Sequence, residues 1–69
     1  MTVESLTNEM LATAIKYLSA KRQNLYHSVS GEFNLDPAQH AHLNSEIDAL
    51  NDVIRVLEEE RETRRMRAA

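Results

Sequence analysis

In the second half of the chain the apolar residues fall at Leu43, Ile47, Leu50, Ile54 and Leu57, in alternating steps of four and three. This spacing keeps them on one narrow stripe of an α-helix, a coiled-coil-type seam rather than a broad face. The start of that helix is legible in Asp36-Pro37-Ala38-Gln39. Asp as N-cap accepts from a free backbone N–H, Pro suits the first helical position, and Gln39 completes a capping box. No breaker follows, so the pattern predicts a helix over about 37–66.

The first half has a different pattern. Met10, Leu11, Ala14, Ile15, Leu18 and Leu25 form a face wide enough to touch two neighbouring helices. Arg22 interrupts this face and is expected at its edge, with its stem along the apolar surface. Tyr17 and Tyr26 are expected at the edge too, with their hydroxyls in water. Leu6-Thr7-Asn8-Glu9 reads as a helix start: Thr7 caps, Glu9 is favourable in the first turn, and Leu6 staples onto Leu11. Thr2 is a rival cap one turn earlier. Ser28-Val29-Ser30-Gly31 ends the helix, with the lone Gly where a left-handed residue is wanted.

Two helices, about 7–30 and 37–66, joined by a connector of the length found between antiparallel neighbours, define the fold class: all-α, an antiparallel helical hairpin. It occupies residues 1–69 as a single domain. At about 1.5 Å of rise per residue the helices are roughly 36 Å and 45 Å long, so residues 61–69 are expected to overhang at the open end.

Length and composition limit what this hairpin can be. Sixty-nine residues with no Cys have neither a disulfide nor a thiolate zinc site to staple them. One Gly, one Pro and three aromatics leave too few turn residues for an all-β fold or a Gly-rich phosphate loop. A monomer of this size is marginal, so the pattern predicts a homodimer forming a four-helix bundle. Its expected core is Leu11, Ile15, Leu18, Leu25, Leu43, Ile47, Leu50, Ile54 and Leu57. A parallel pairing of the second helices would suit the Ile and Leu order, but the seam continues to Arg61 and Arg64, which would meet their own copies. The antiparallel contact is therefore preferred.

The net charge of -3 argues against a surface that coats nucleic acid or anionic lipid as a whole. Its distribution is uneven: Asp36, Glu46, Asp48, Asp52, Glu58, Glu59 and Glu60 face a single base, Arg55, before Arg61, Arg64, Arg65 and Arg67 follow with one acid. The apolar runs are far too short for a membrane span or a signal-peptide core, so the expected location is the cytoplasm, with no membrane partner and no processing.

Candidate chemistry is sparse. His40 and His42 are two residues apart and point away from each other on a helix, and His27 lies near the same end. No metal site, cofactor or catalytic residue is therefore expected, and His40 is read as a seam-end residue packed at the edge. Asp48 and Asp52 share a face, but no apolar pocket is in prospect to raise either pKa for acid/base work. Arg61, Arg64 and Arg65 are the best candidates for contacting a partner, through phosphate or acidic protein groups. The competing reading, which is favoured, pairs Glu58 with Arg61, Glu60 with Arg64 and Glu62 with Arg65 along the helix. Phe33 is a further candidate anchor, although with Leu35 it is more readily read as a plug over the closed end of the bundle.

Leu6-Thr7-Asn8-Glu9-Met10-Leu11 followed by Ala14-Ile15-Lys16-Tyr17-Leu18 resembles the small helical early-region proteins of lambdoid phages, over the first third of the chain. That likeness implies a small modulator of development acting through protein contacts. Asn44-Ser45-Glu46-Ile47-Asp48 is also similar to the helical-hairpin aspartyl-phosphate phosphatases that regulate sporulation, with Asn44 where that family has Ser, and with Arg22 and Leu25 matching its first helix. That second likeness implies a role for Asp48 on a phosphorylated response regulator and is the less favoured. The expected function is a non-enzymatic regulatory protein that binds itself and another protein; a nucleic-acid-binding hairpin using the C-terminal arginines is the alternative, and the phosphatase is the second.

Overall fold

The computed structural model describes residues 2–30 and 36–68 and consists of a short N-terminal turn and two long helices. Val3–Ser5 form one turn of 3₁₀-helix, α1 spans Asn8–Val29 and α2 spans Pro37–Ala68. Among the described residues there is no strand, and the fold is an all-α helical hairpin. The expected turn at Gly31 and the plug residues Phe33 and Leu35 lie outside the described residues.

Both rival caps are used, for different purposes. At Thr2 the backbone carbonyl accepts from Ser5 N–H at 3.0 Å and from the Ser5 hydroxyl at 2.7 Å, but the Thr2 side chain caps nothing. The turn then stops, because Leu6 is extended (φ -75°, ψ 140°) and cannot continue a helix. Thr7 makes the real cap, its Oγ1 accepting from Met10 N–H at 3.1 Å. Leu6 packs on the cluster of Leu11, Ile15 and Leu57, which is the predicted hydrophobic staple. The α2 start is the predicted capping box in both directions: Asp36 Oδ1 accepts from Gln39 N–H at 2.8 Å, and Gln39 Oε1 accepts from Asp36 N–H at 3.2 Å.

Two bonds between the helices set their register. The Arg22 guanidinium donates to Asn51 Oδ1 at 2.9 Å, and that of Arg64 donates to Asn8 Oδ1 at 2.9 Å. The helices are therefore antiparallel, and this register brings Ile15 level with Leu57, Leu18 with Ile54, Leu25 with Ile47 and Val29 with Leu43. The α1 face follows the same four-and-three steps as the α2 seam, so the two stripes interlock along their length.

The seam is consumed within the chain. Leu11, Ile15, Ile47, Ile54 and Leu57 are buried, and Leu18, Leu25, Leu43 and Leu50 are half-buried. These are the residues the sequence reading assigns to a dimer core, and the structure places them between the chain's own helices. The reason is proximity: a short connector holds the two stripes together, so closing the hairpin costs far less entropy than recruiting a second chain. The burial is lopsided. Leu11, Ile15 and Leu57 form the tight cluster at the open end, with Val3, Leu6, Ala14 and Leu18 packed on it, whereas Leu25, Val29 and Leu43 toward the connector are only half-covered.

The two helices differ in length. With 32 residues, α2 is about 48 Å long, which matches the 48 Å long axis of the molecule. The 22 residues of α1 reach only about 33 Å. The register leaves the first turns of α2 beyond α1 at the connector end and residues 65–68 beyond Asn8 at the open end, while the N-terminal segment folds back as a strap, with Val3 beside Val53, Val56 and Leu57 and both Val3 and Glu4 carbonyls bound by Arg64. Arg64 therefore does not project into solvent but holds the strap down.

Candidate interaction surface

The arginine end separates into two kinds of residue. Arg64 is mostly buried, and its guanidinium has four partners: Asn8 Oδ1 at 2.9 Å, the carbonyls of Val3 at 3.2 Å and Glu4 at 3.4 Å, and Glu60 Oε1 at 3.8 Å. Glu60 is the one buried charged residue among the described residues, at 9% exposure. A carboxylate at that depth needs a cation, and the planar arginine fork is the group that can serve it while also tying two backbone carbonyls to α2. Arg64 is thus the clamp of the strap, and of the three candidate arginines it is the one committed to the fold.

Arg61 and Arg65 are exposed. Arg61 pairs with Glu58 at 3.9 Å, and Arg65 pairs with Glu62. These are the pairings read from the sequence, and in water each is worth less than about 1 kcal/mol. Together with Asn8, Leu11, Arg64 and Ala68 they line a groove at the open end.

The histidines do not converge. His27 contacts Gln23 at 3.3 Å, His40 contacts Asn44 at 3.1 Å and His42 contacts Glu46 at 3.0 Å, each a local pair one turn apart. All three are exposed, so His40 is not packed at the seam's edge as expected. The described residues contain no group of three or more His, Cys, Asp or Glu placed to hold a metal ion. Asp48 and Asp52 stand exposed on the outer side of α2, and Asp52 pairs with Arg55 at 3.6 Å. Asn44, which the phosphatase comparison replaces by Ser, is held by His40, while Arg22 is engaged by Asn51. No described helix is long and apolar enough to cross a membrane.

The surface feature of greatest extent is one that the stripe pattern alone does not announce. In an antiparallel pair of right-handed helices, the residues just before each seam position project to one side of the pair, and those just after it project to the other. Before the seam come Met10, Ala14, Tyr17, Lys21, Asn24 and Ser28 on α1, and His42, Glu46, Ala49, Val53, Val56 and Glu60 on α2. After it come Ala12, Lys16, Ser19, Gln23 and Tyr26 on α1, and Asn44, Asp48, Asn51, Arg55 and Glu58 on α2. The first flank is apolar over its middle stretch, Met10 to Tyr17 on α1 and Ala49 to Val56 on α2, and the second is polar apart from Ala12 and Tyr26.

The apolar flank is open to solvent. Tyr17 is 68% exposed, Val53 and Val56 are 47% each and Met10 is 46%. Two shallow grooves run over it, one lined by Thr7, Glu9, Met10, Thr13, Ala14 and Tyr17 and the other by Val3, Asp52, Val53, Val56 and Leu57. The strap bounds the flank at the open end, and Lys21 and Glu46 bound it toward the connector. Half of it was legible in advance, because the α1 face is wider than a single seam requires. The α2 half was not, since Val53 and Val56 fall outside the four-and-three stripe and gain meaning only from the register with α1.

Set beside known proteins, the chain matches no family model, no curated protein and no solved structure.

Proposed function

We propose that this chain is a non-enzymatic interaction protein, a helical hairpin that presents its apolar flank to a protein partner. The observation that carries the reading is the exposure of Met10, Tyr17, Val53 and Val56 on one flank, against Tyr26 alone on the other. Contiguous apolar surface on a small protein marks contact sites, because leaving it wet costs solubility and covering it releases water. The shape suits such a role: two antiparallel helices side by side form a rod of 48 × 19 × 17 Å, with a groove between them on which another helix packs. A regulatory role, with the developmental setting implied by the likeness of the first third to phage early-region proteins, belongs to the same proposal.

The test is a photo-reactive aromatic residue placed at Tyr17 in the producing cell, with Tyr26 on the polar flank as the comparison site. Adducts to protein at position 17 and few at position 26 are expected. Adducts to nucleic acid, concentrated at Arg61 or Arg65 when the probe is moved there, would replace this reading with the nucleic-acid alternative.

A further inference from the structure

Resting on that reading, we propose that the occupant of the apolar flank is a second copy of this chain, the two hairpins packing flank to flank and antiparallel about a two-fold axis near Tyr17 and Val53. This keeps the four-helix bundle expected from the stripes and names the flank through which the two hairpins meet.

Surface area is the first argument. A compact monomer of 7.9 kDa exposes about 4,400 Å², whereas this chain exposes 5418 Å². The excess is about 1,000 Å², and each partner in a standard specific interface covers about 800 Å². The radius of gyration points the same way, at 15.0 Å against about 11 Å for a compact chain of this length. A rod measuring 48 × 19 × 17 Å has the proportions of half a bundle. Joining two such rods along their length, as a four-helix bundle does, removes the excess with one contact.

The position of the flank is the second argument. An isologous interface must be complementary to itself, and overlap is greatest when the patch lies midway along the rod. Tyr17 and Val53 lie near the middle of α1 and of the seam it packs on, with Met10 and Val56 to one side and Ala49 to the other. Charge selects the antiparallel arrangement. Residues 36–54 carry Asp36, Glu46, Asp48 and Asp52 and no Lys or Arg, while Arg61, Arg64, Arg65 and Arg67 crowd the other end of α2. A parallel pair sets the arginine ends side by side. The antiparallel pair instead sets the two arginine-bearing ends at opposite ends of the dimer.

The experiment uses the full chain. Sedimentation equilibrium in the micromolar range is expected to give twice the chain mass. Val53→Asp combined with Val56→Asp is expected to weaken association by at least about 100-fold, because two charges would be desolvated at the centre of the interface. Both valines are about half exposed, so far-UV circular dichroism is expected to report an intact hairpin, and Tyr26→Asp on the polar flank is expected to leave the dimer unchanged. A second measurement does not depend on the double variant folding. The chain has no Cys, so Tyr17→Cys is expected to form a chain-to-chain disulfide on mild oxidation where Tyr26→Cys does not. A helical wild-type monomer across the micromolar range would overturn the inference, as would cross-linking through position 26 in preference to 17. A monomer that still gives protein adducts at position 17 in cells would remove the second copy as occupant and leave the proposed function standing; a stable dimer without adducts at position 17 would overturn both, because the two copies would then meet elsewhere.

Discussion

The two flanks of the hairpin come from the same pair of helices and the same heptad-like spacing, yet they face water on different terms. The polar flank carries Lys16, Gln23, Asp48, Asn51 and Arg55, and its inward members serve the fold: Arg22 at the seam reaches Asn51 and holds the register. The apolar flank offers Met10, Ala14, Tyr17, Val53 and Val56 and makes no comparable bond. Moving one position along a helix turns the side chain by about 100°, so a shift of a single residue relative to the seam decides whether a Val is core, flank or outer surface. A search for seams therefore finds the core and passes over the exposed apolar residues beside it.

Four substitutions would break or sharpen this contrast. The largest effect belongs to neither flank. Ile54→Ala removes a side chain that is 1% exposed and is expected to cost about 2–5 kcal/mol in urea unfolding followed by circular dichroism. A loss under about 1 kcal/mol would mean that the seam is not the core.

Arg64→Ala comes next, at about 2–3 kcal/mol, because it strips the partner from buried Glu60 and frees the Val3 and Glu4 carbonyls. Arg64→Lys is expected to restore only part of this, since an ammonium cannot bridge the same set of acceptors. Hydrogen exchange of the Ser5 and Leu6 amides, which bond within the N-terminal turn, reports whether the strap has lifted and lengthened the apolar flank.

Val56→Ala is the substitution that distinguishes flank from core. At high protein concentration it is expected to lower apparent stability by about 1 kcal/mol, and on dilution the difference is expected to fade as the contact it supports dissociates. A loss that does not change with concentration would assign Val56 to the hairpin's own packing. Asp48→Ala on the polar flank is expected to change stability by no more than about 0.5 kcal/mol. Loss of turnover of a phosphorylated response regulator by that same variant would favour the phosphatase likeness.

Much of the fold could be read from the chain. The caps at Thr7 and Asp36, the Leu6 staple and the two stripes are local: each depends on residues within about one turn of one another, so backbone hydrogen bonding and side-chain period decide them before any tertiary contact forms. The ion pairs of Arg61 and Arg65 belong to the same local class. The roles of Arg64 and Glu60 do not, because they depend on residues some sixty positions earlier returning to the end of α2.

By itself, then, the amino-acid sequence determined two capped helices, their apolar stripes and an acidic second helix ending in arginines. The tertiary structure decided which stripe covers which, folded the N-terminal segment back as a strap held by Arg64, and placed Met10, Tyr17, Val53 and Val56 on one flank. The physical reason is register. Helix period says where a side chain points relative to its own axis, and only the antiparallel pairing set by Arg22 with Asn51 and Arg64 with Asn8 says where two axes leave those side chains relative to each other.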